Sequence, residues 1–124
     1  MSTSESVKAL VALVKQGKYL EALERFYAPD SSMQENLSPA RVGLPALLEN
    51  EREVLARVPD IHLERVDSLV IDGDRVAINW VFAYTDARGR KFRLDEIAYQ
   101  VWQNGKIVRE RFYYDPAQRQ TPVD

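Results

Sequence analysis

Cysteine is absent from the 124 residues. Its absence removes disulfides, thiolate zinc sites and cysteine nucleophiles together. Histidine occurs once, at His62. No carboxylates stand around it at ligand spacing, so no metal site is expected, and no Ser-His-Asp constellation can be assembled. Positive charge is not in excess: 17 Lys and Arg against 19 Asp and Glu leave a formal net charge of −2. No basic field is available to grip a phosphate backbone, so nucleic-acid binding is not expected. No stretch approaches the ~20 apolar residues that cross a bilayer. Met1 to Lys8 lacks a basic region followed by an apolar run, so no secretory signal is visible. These absences read as a soluble, cytoplasmic protein with no membrane partner.

What is present suits one domain: 45% apolar and 29% charged residues over a length that can bury a sizeable core. Residues 1–115 read as a single domain and 116–124 as a polar tail, frayed unless a partner holds it. Ser2 and Glu5 have capping-box spacing, and Val7, Leu10, Val11 and Val14 follow at helical intervals up to Gly17. A second helix carries Tyr19, Ala22, Leu23, Phe26 and Tyr27 and stops at Pro29. A short strand is possible over 31–36, with a loop over 38–43. A third helix carries Leu44, Leu47, Leu48, Leu55 and Val58. From Ile61 the apolar period changes to two, over roughly 61–71, 75–84, 91–103 and 106–114. The turns fall at Asp72-Gly73, Asp86 to Gly89 and Asn104-Gly105. Helices first and an antiparallel meander afterwards predict an α+β fold.

Hairpin counting assigns faces. A two-residue Asn104-Gly105 turn pairs Tyr99 with Glu110, Ile97 with Phe112 and Asp95 with Tyr114. A four-residue loop at 86–89 pairs Trp80 with Asp95 and Phe82 with Arg93. An even-length turn at Asp72-Gly73 adds Leu63, Arg65 and Asp67. The resulting face is aromatic and aliphatic, broken by a few charges, and is expected to be concave and to meet the helices. A mostly apolar hollow with a few convergent polar groups suits a small hydrophobic ligand. The other face, with Val66, Val70, Val81 and Trp102 among charges, suits a homodimer contact.

Several segments carry a resemblance. They are Glu21-Ala22-Leu23 leading to Phe26-Tyr27-Ala28-Pro29-Asp30, the polar strand at Met33 to Asn36, Gly43 before the third helix, and Gly73-Asp74-Arg75-Val76. The last is Asn104-Gly105-Lys106-Ile107-Val108 running on to Tyr113-Tyr114-Asp115. In this order they resemble the SnoaL-like polyketide cyclase and ketosteroid isomerase group of the nuclear transport factor 2-like superfamily. The resemblance implies three N-terminal helices on a strongly curved, cone-forming sheet, and a dimer through the sheet's outer face. It also implies cofactor-free acid/base chemistry. The tyrosine that ketosteroid isomerases carry in the first helix falls at about Leu10, their proton-shuttling aspartate at or beside Glu35, and their protonated aspartate near Ile97. With that oxyanion pair missing, ketosteroid isomerisation itself is not expected.

The candidate catalytic residues are therefore Glu35, Asp95 and Glu110, since a carboxylate in an apolar cavity has a raised pKa and can take a proton from a carbon acid. The candidate ligand-binding residues are Tyr19, Tyr27, Trp80, Phe82, Ile97, Tyr99, Phe112 and Tyr114. Two readings stand: a cofactor-free isomerase, cyclase or hydratase/dehydratase, or a non-catalytic ligand-binding or dimerisation module.

Overall fold

The computed structural model describes residues 1–123. Helix α1 (Thr3–Lys15) begins at the expected capping box: Ser2 accepts from the Glu5 amide, and Glu5 accepts from the Ser2 amide, each at 3.1 Å. It ends at Gly17, whose φ of 75° lets the Lys18 amide reach back to the Leu13 carbonyl at 2.9 Å and close the helix. Helix α2 (Tyr19–Phe26) runs without a break into strand β1 (Tyr27–Glu35), earlier than the expected strand start at Ser31. Pro29 does not end the helix. It sits inside β1, within a stretch where the pairing register shifts, as suits a residue with no amide to give to a ladder. A two-residue strand β2 (Arg41–Val42) occupies the expected loop, and helix α3 spans Leu44–Arg57.

Four long strands follow: β3 (His62–Asp72), β4 (Arg75–Thr85), β5 (Lys91–Gln103) and β6 (Lys106–Tyr113). The sheet order is β2-β1-β6-β5-β4-β3, with β1 parallel to β6 and every other pair antiparallel. The expected α+β fold of three helices on a curved sheet is the observed one, with the sheet unclosed. Curvature has a local cause: the register slips twice in β3 against β4 and once in β6 against β5, and each extra residue bends its strand.

The helices cover one face. Val7, Leu10 and Val14 of α1, Leu23 and Phe26 of α2 and Leu47 of α3 pack with Ile78 and Trp80 of β4 and Trp102 of β5. This corrects part of the sequence reading. Trp102 is core, not outer surface, and Val66 also packs against the core. The tail is docked rather than frayed. A short 3₁₀ turn (Pro116–Arg119) is capped by Asp115, Gln118 pairs with the Asp95 backbone, and the Val123 amide donates to the Lys91 carbonyl at 2.8 Å.

The faces depend on two turns. The loop after β4 contains five residues, because Thr85 pairs with Lys91. Asp86 holds it together, accepting from the amides of Arg88 and Arg90, while Gly89 supplies a left-handed residue at φ 78°. One more loop residue than expected moves every side chain of β5 to the opposite face. Trp80 therefore faces Glu96, not Asp95. Asp95, Ile97, Tyr99 and Arg93 lie on the outer face, as do Val81 and its partner Arg65. The Asn104-Gly105 turn pairs Gln103 with Lys106 as expected, but an extra residue at Val108 then shifts β6 by one. Glu110 consequently pairs with Gln100 and faces inward.

Candidate functional site

A cavity of about 190 Å³ remains between the helices and the concave face. Its walls are apolar: Leu10 and Val14 of α1, Leu23 of α2, Val54 of α3, and Trp80, Phe82, Leu94 and Phe112 of the sheet. Four carboxyl groups interrupt them: Glu35, Glu51, Glu96 and Glu110.

Glu110 is the most enclosed of the four, at 1% exposure. Tyr27 donates its hydroxyl to one carboxyl oxygen. Gln100 Nε2 donates to the other at 2.7 Å, and Trp102 Nε1 donates to Gln100 Oε1 at 2.9 Å. The bulge at Val108 places Glu110 here, and the inward alternation Glu96, Ala98, Gln100, Trp102 along β5 supplies the amide and the indole behind it. Burial disfavours the ionised carboxyl, while the donors from Tyr27 and Gln100 favour it. The balance raises the Glu110 pKa to about 7. The Tyr27 hydroxyl is driven well above its ordinary range by burial and by the neighbouring carboxylate.

Glu96 lies on the same wall, one inward position from Leu94, and is also buried. No side-chain donor reaches it among the described residues, so burial dominates, with repulsion from Glu110 next. Its pKa is raised to about 8. Glu51 enters from α3 and is also shifted upward by burial. Near neutral pH the cavity thus contains one carboxyl poised between its two forms and a second that holds its proton. Those are the complementary requirements of a base and an acid.

Glu35 sits at the rim, where β1 ends. It accepts from the Tyr114 hydroxyl at 3.0 Å, from Arg119 at 2.9 Å and, more weakly, from Arg41 at 3.4 Å. Tyr19 lines the cavity with its ring but spends its hydroxyl on the Ile61 carbonyl at 3.0 Å. The structure therefore brings together Glu35, Glu110, Tyr19, Tyr27, Trp80, Phe82 and Phe112 around one hollow, with Tyr114 bonded to its rim. It does not bring Asp95, Ile97 or Tyr99 there. Asp95 accepts from Asn79 at 2.7 Å on the outer face, and Ile97 and Tyr99 are 46% and 40% exposed.

Sequence reasoning missed Glu96, Gln100, Glu51, Arg41 and Arg119. Two signals could have found the first three. Lys91, Arg93 and Asp95 put three charges at alternate positions, which marks the odd-numbered side of β5 as the wet one. Glu51 continues the Leu44, Leu47, Leu48 stripe of α3 at helical spacing. Arg41 and Arg119 lie in a loop-like segment and a polar tail, where no periodicity points anywhere. Among the described residues no group of three or more His, Asp or Glu is disposed to hold a metal ion, and no helix is long and apolar enough to cross a membrane.

The profile of the SnoaL-like polyketide cyclase family matches residues 5–120. The chain belongs to that family. Solved structures agree with the SnoaL-like assignment. A candidate SnoaL-like polyketide cyclase from Mesorhizobium loti is 28% identical, with a TM-score of 0.79 over 92% of this chain and 100% of that one. IdmH from Streptomyces antibioticus, a candidate polyketide cyclase, is 21% identical, with a TM-score of 0.77 over 95% of each chain. TerC, co-crystallised with polyporic acid, is 19% identical, with a TM-score of 0.81 over 95% of each chain. At the latter two identities the likeness is one of fold. Among curated proteins none matches this SnoaL-like chain in sequence.

Proposed function

We propose that this SnoaL-like protein binds a small, largely apolar, carbonyl-bearing molecule in its cone and moves a proton on it without a cofactor. The observation that carries this reading is Glu110: a buried carboxyl, held by Tyr27 and Gln100, with a pKa of about 7, in the wall of a mostly apolar cavity. In its ionised form Glu110 takes a proton from the carbon next to the carbonyl, and the electron pair moves toward the carbonyl oxygen. Glu96, still protonated at that pH, donates a hydrogen bond to the oxygen as charge develops there. Returning the proton to a different carbon isomerises the substrate. Attack of the enolate on a second carbonyl cyclises it, the new alkoxide taking the proton held by Glu110, and expulsion of a β-hydroxyl dehydrates it, that proton leaving with the hydroxyl as water. A neighbour of the same fold, TerC, was co-crystallised with polyporic acid, which supports a ligand-binding reading.

The same reading extends to assembly. Val70, Ile97, Tyr99 and Tyr113 leave the sheet's outer side partly apolar and exposed, which favours a homodimer through that face. Light scattering at micromolar concentration tests it, a monomer being the contrary result.

For the chemistry, 2-tetralone in deuterium oxide is a suitable carbon-acid probe. The wild-type protein is expected to speed exchange of the α-protons, read by NMR, and the folded Glu110→Gln variant to abolish the increase. Exchange at the buffer rate with wild type, or undiminished in the variant, contradicts the assignment of Glu110 as base.

A further inference from the structure

The rim of the cavity differs in chemistry from its interior. Glu35, Arg41 and Arg119 all line the hollow, with side-chain exposures of 28%, 43% and 46%, whereas Glu110 is closed off inside. Two guanidiniums therefore face the opening and share a single carboxylate. Neither pairs with it in the two-pronged manner that a guanidinium favours. Arg119 gives one contact at 2.9 Å, and Arg41 gives one at 3.4 Å, longer than a good charge-assisted bond. The outer face shows the contrast, where Arg93 engages both oxygens of Glu64 at 3.2 Å each. Each guanidinium presents five N–H donors, so donor capacity at the rim exceeds what Glu35, which also accepts from the Tyr114 hydroxyl, can absorb.

Arg119 is also held in position. Gln118 pairs twice with the backbone of Asp95, donating at 3.0 Å and accepting at 2.7 Å, and thereby stands in for a strand neighbour. Asp115 caps the turn, accepting from the Ala117 amide at 2.9 Å. The Arg119 guanidinium lies over the Tyr114 ring, 4.9 Å from its centroid. Arg41 is fixed from the other side by the pairing of β2 with Met33 of β1. A tail this polar has no core to join, yet four hydrogen bonds and one cation–π contact hold one guanidinium at the opening. Such preorganisation lowers the ordering cost of binding an anion there.

We propose that Arg41 and Arg119 form a carboxylate-reading subsite at the cavity mouth, so that the preferred ligand is an apolar molecule ending in a carboxylate. The apolar body lies against Trp80, Phe82 and Phe112, and the anionic end displaces Glu35 from one or both guanidiniums. Glu35 is then a competitor for the subsite rather than a base. The deeper carboxyls, Glu96 and Glu110, are neutral or partly so near pH 6 to 7 and offer little repulsion to an anion at the rim. This inference rests on the reading that the cone takes an apolar molecule.

Titration calorimetry at about pH 6 with 4-phenylbutyrate and its methyl ester separates the two. The acid is ionised at that pH and the ester is not charged. Wild-type protein is expected to bind the acid about tenfold more tightly than the ester, with the advantage shrinking as salt is raised. Arg41→Met with Arg119→Met is expected to abolish the advantage while leaving ester binding intact. Glu35→Gln is expected to enlarge it, because the internal competitor loses its charge. Ester bound as tightly as acid, or an advantage that survives the double substitution, overturns the subsite and leaves the apolar cavity reading standing. No binding of either probe overturns both.

Discussion

Gln100 and Glu110 face each other across the β5–β6 ladder, with the amide Nε2 of Gln100 donating to Glu110 Oε2 at 2.7 Å. The amide cannot turn over freely, because Trp102 Nε1 donates to its Oε1 at 2.9 Å. The indole thus fixes which end of Gln100 meets the carboxyl. With Tyr27 donating to the other oxygen, Glu110 is surrounded by donors suited to its ionised form while burial opposes that form. A pKa of about 7 is the outcome of those opposed effects.

Removing a donor tips that balance in one direction. Gln100→Leu is expected to raise the Glu110 pKa by roughly a unit or more, since a hydrogen bond to a charged group contributes about 1.5–3 kcal/mol and each pKa unit is about 1.4 kcal/mol. Trp102→Phe is expected to shift it the same way by less, by freeing the amide to reorient. The pH profile of α-proton exchange reports both, with the half-maximal point moving to higher pH.

Tyr27→Phe has a stability signature that depends on pH. At about pH 8 Glu110 is ionised and loses a donor it needs, so a cost of about 1.5–3 kcal/mol is expected. At about pH 5 Glu110 is protonated and the cost is smaller. Denaturant unfolding at the two pH values measures the difference. An equal cost at both would mean that the hydroxyl does not serve the carboxylate.

The two raised carboxyls also predict how wild-type stability varies with pH. Glu96 and Glu110 have folded pKa values of about 8 and about 7, against about 4.5 in the unfolded chain. Between these limits the folded protein holds protons that the unfolded chain has released. Stability therefore falls as pH rises. Their contribution is fully present below about pH 4.5 and is lost as pH passes through 7 to 8. The total effect is on the order of 8 kcal/mol at most. Carboxyls with lowered pKa values, such as Glu64 beside Arg93 and Asp60 accepting from Thr85, act below this window with the opposite sign. Glu96→Gln is expected to flatten the slope between about pH 5 and 8 in thermal melts.

Asp95→Asn is expected to change neither ligand binding nor proton exchange, and to alter stability by no more than about 0.5 kcal/mol. Asp95 is exposed on the outer face, and its backbone, not its carboxyl, receives Gln118. A large loss of exchange in this variant would restore the pairing of Asp95 with Trp80.

The order of helices and strands was legible because period and caps are local: Ser2 with Glu5, Gly17, and Asn104-Gly105 each act within a few residues. Face assignment was not, because it accumulates through turns. The side of β4 bearing Trp80 and Phe82 was read correctly from its aromatics. A four-residue loop after Thr85 is one residue short of the five observed over 86–90, and that difference turns β5 over and puts Asp95 where Glu96 stands. The bulge at Val108 is a second single-residue shift, and it returned Glu110 to the inner face. Glu110 was thus placed on the correct face by two errors that cancel. Its partners Gln100 and Trp102 were not, since they lie on the strand that only the first error touched. A bulge leaves no mark in the pattern here: Ile107 and Val108 are both apolar, and either could point inward.

The decisive measurement is the titration of the Glu110 side chain itself. Carbon-13 NMR of protein labelled at the glutamate carboxyl, with the resonance assigned by its loss in Glu110→Gln, gives that pKa directly. A midpoint near 7 is the expected result, with Glu96 titrating near 8. A midpoint near the ordinary ~4.5 for Glu110 would mean that burial does not raise its pKa, leaving a weakly basic carboxylate and contradicting the account of the site.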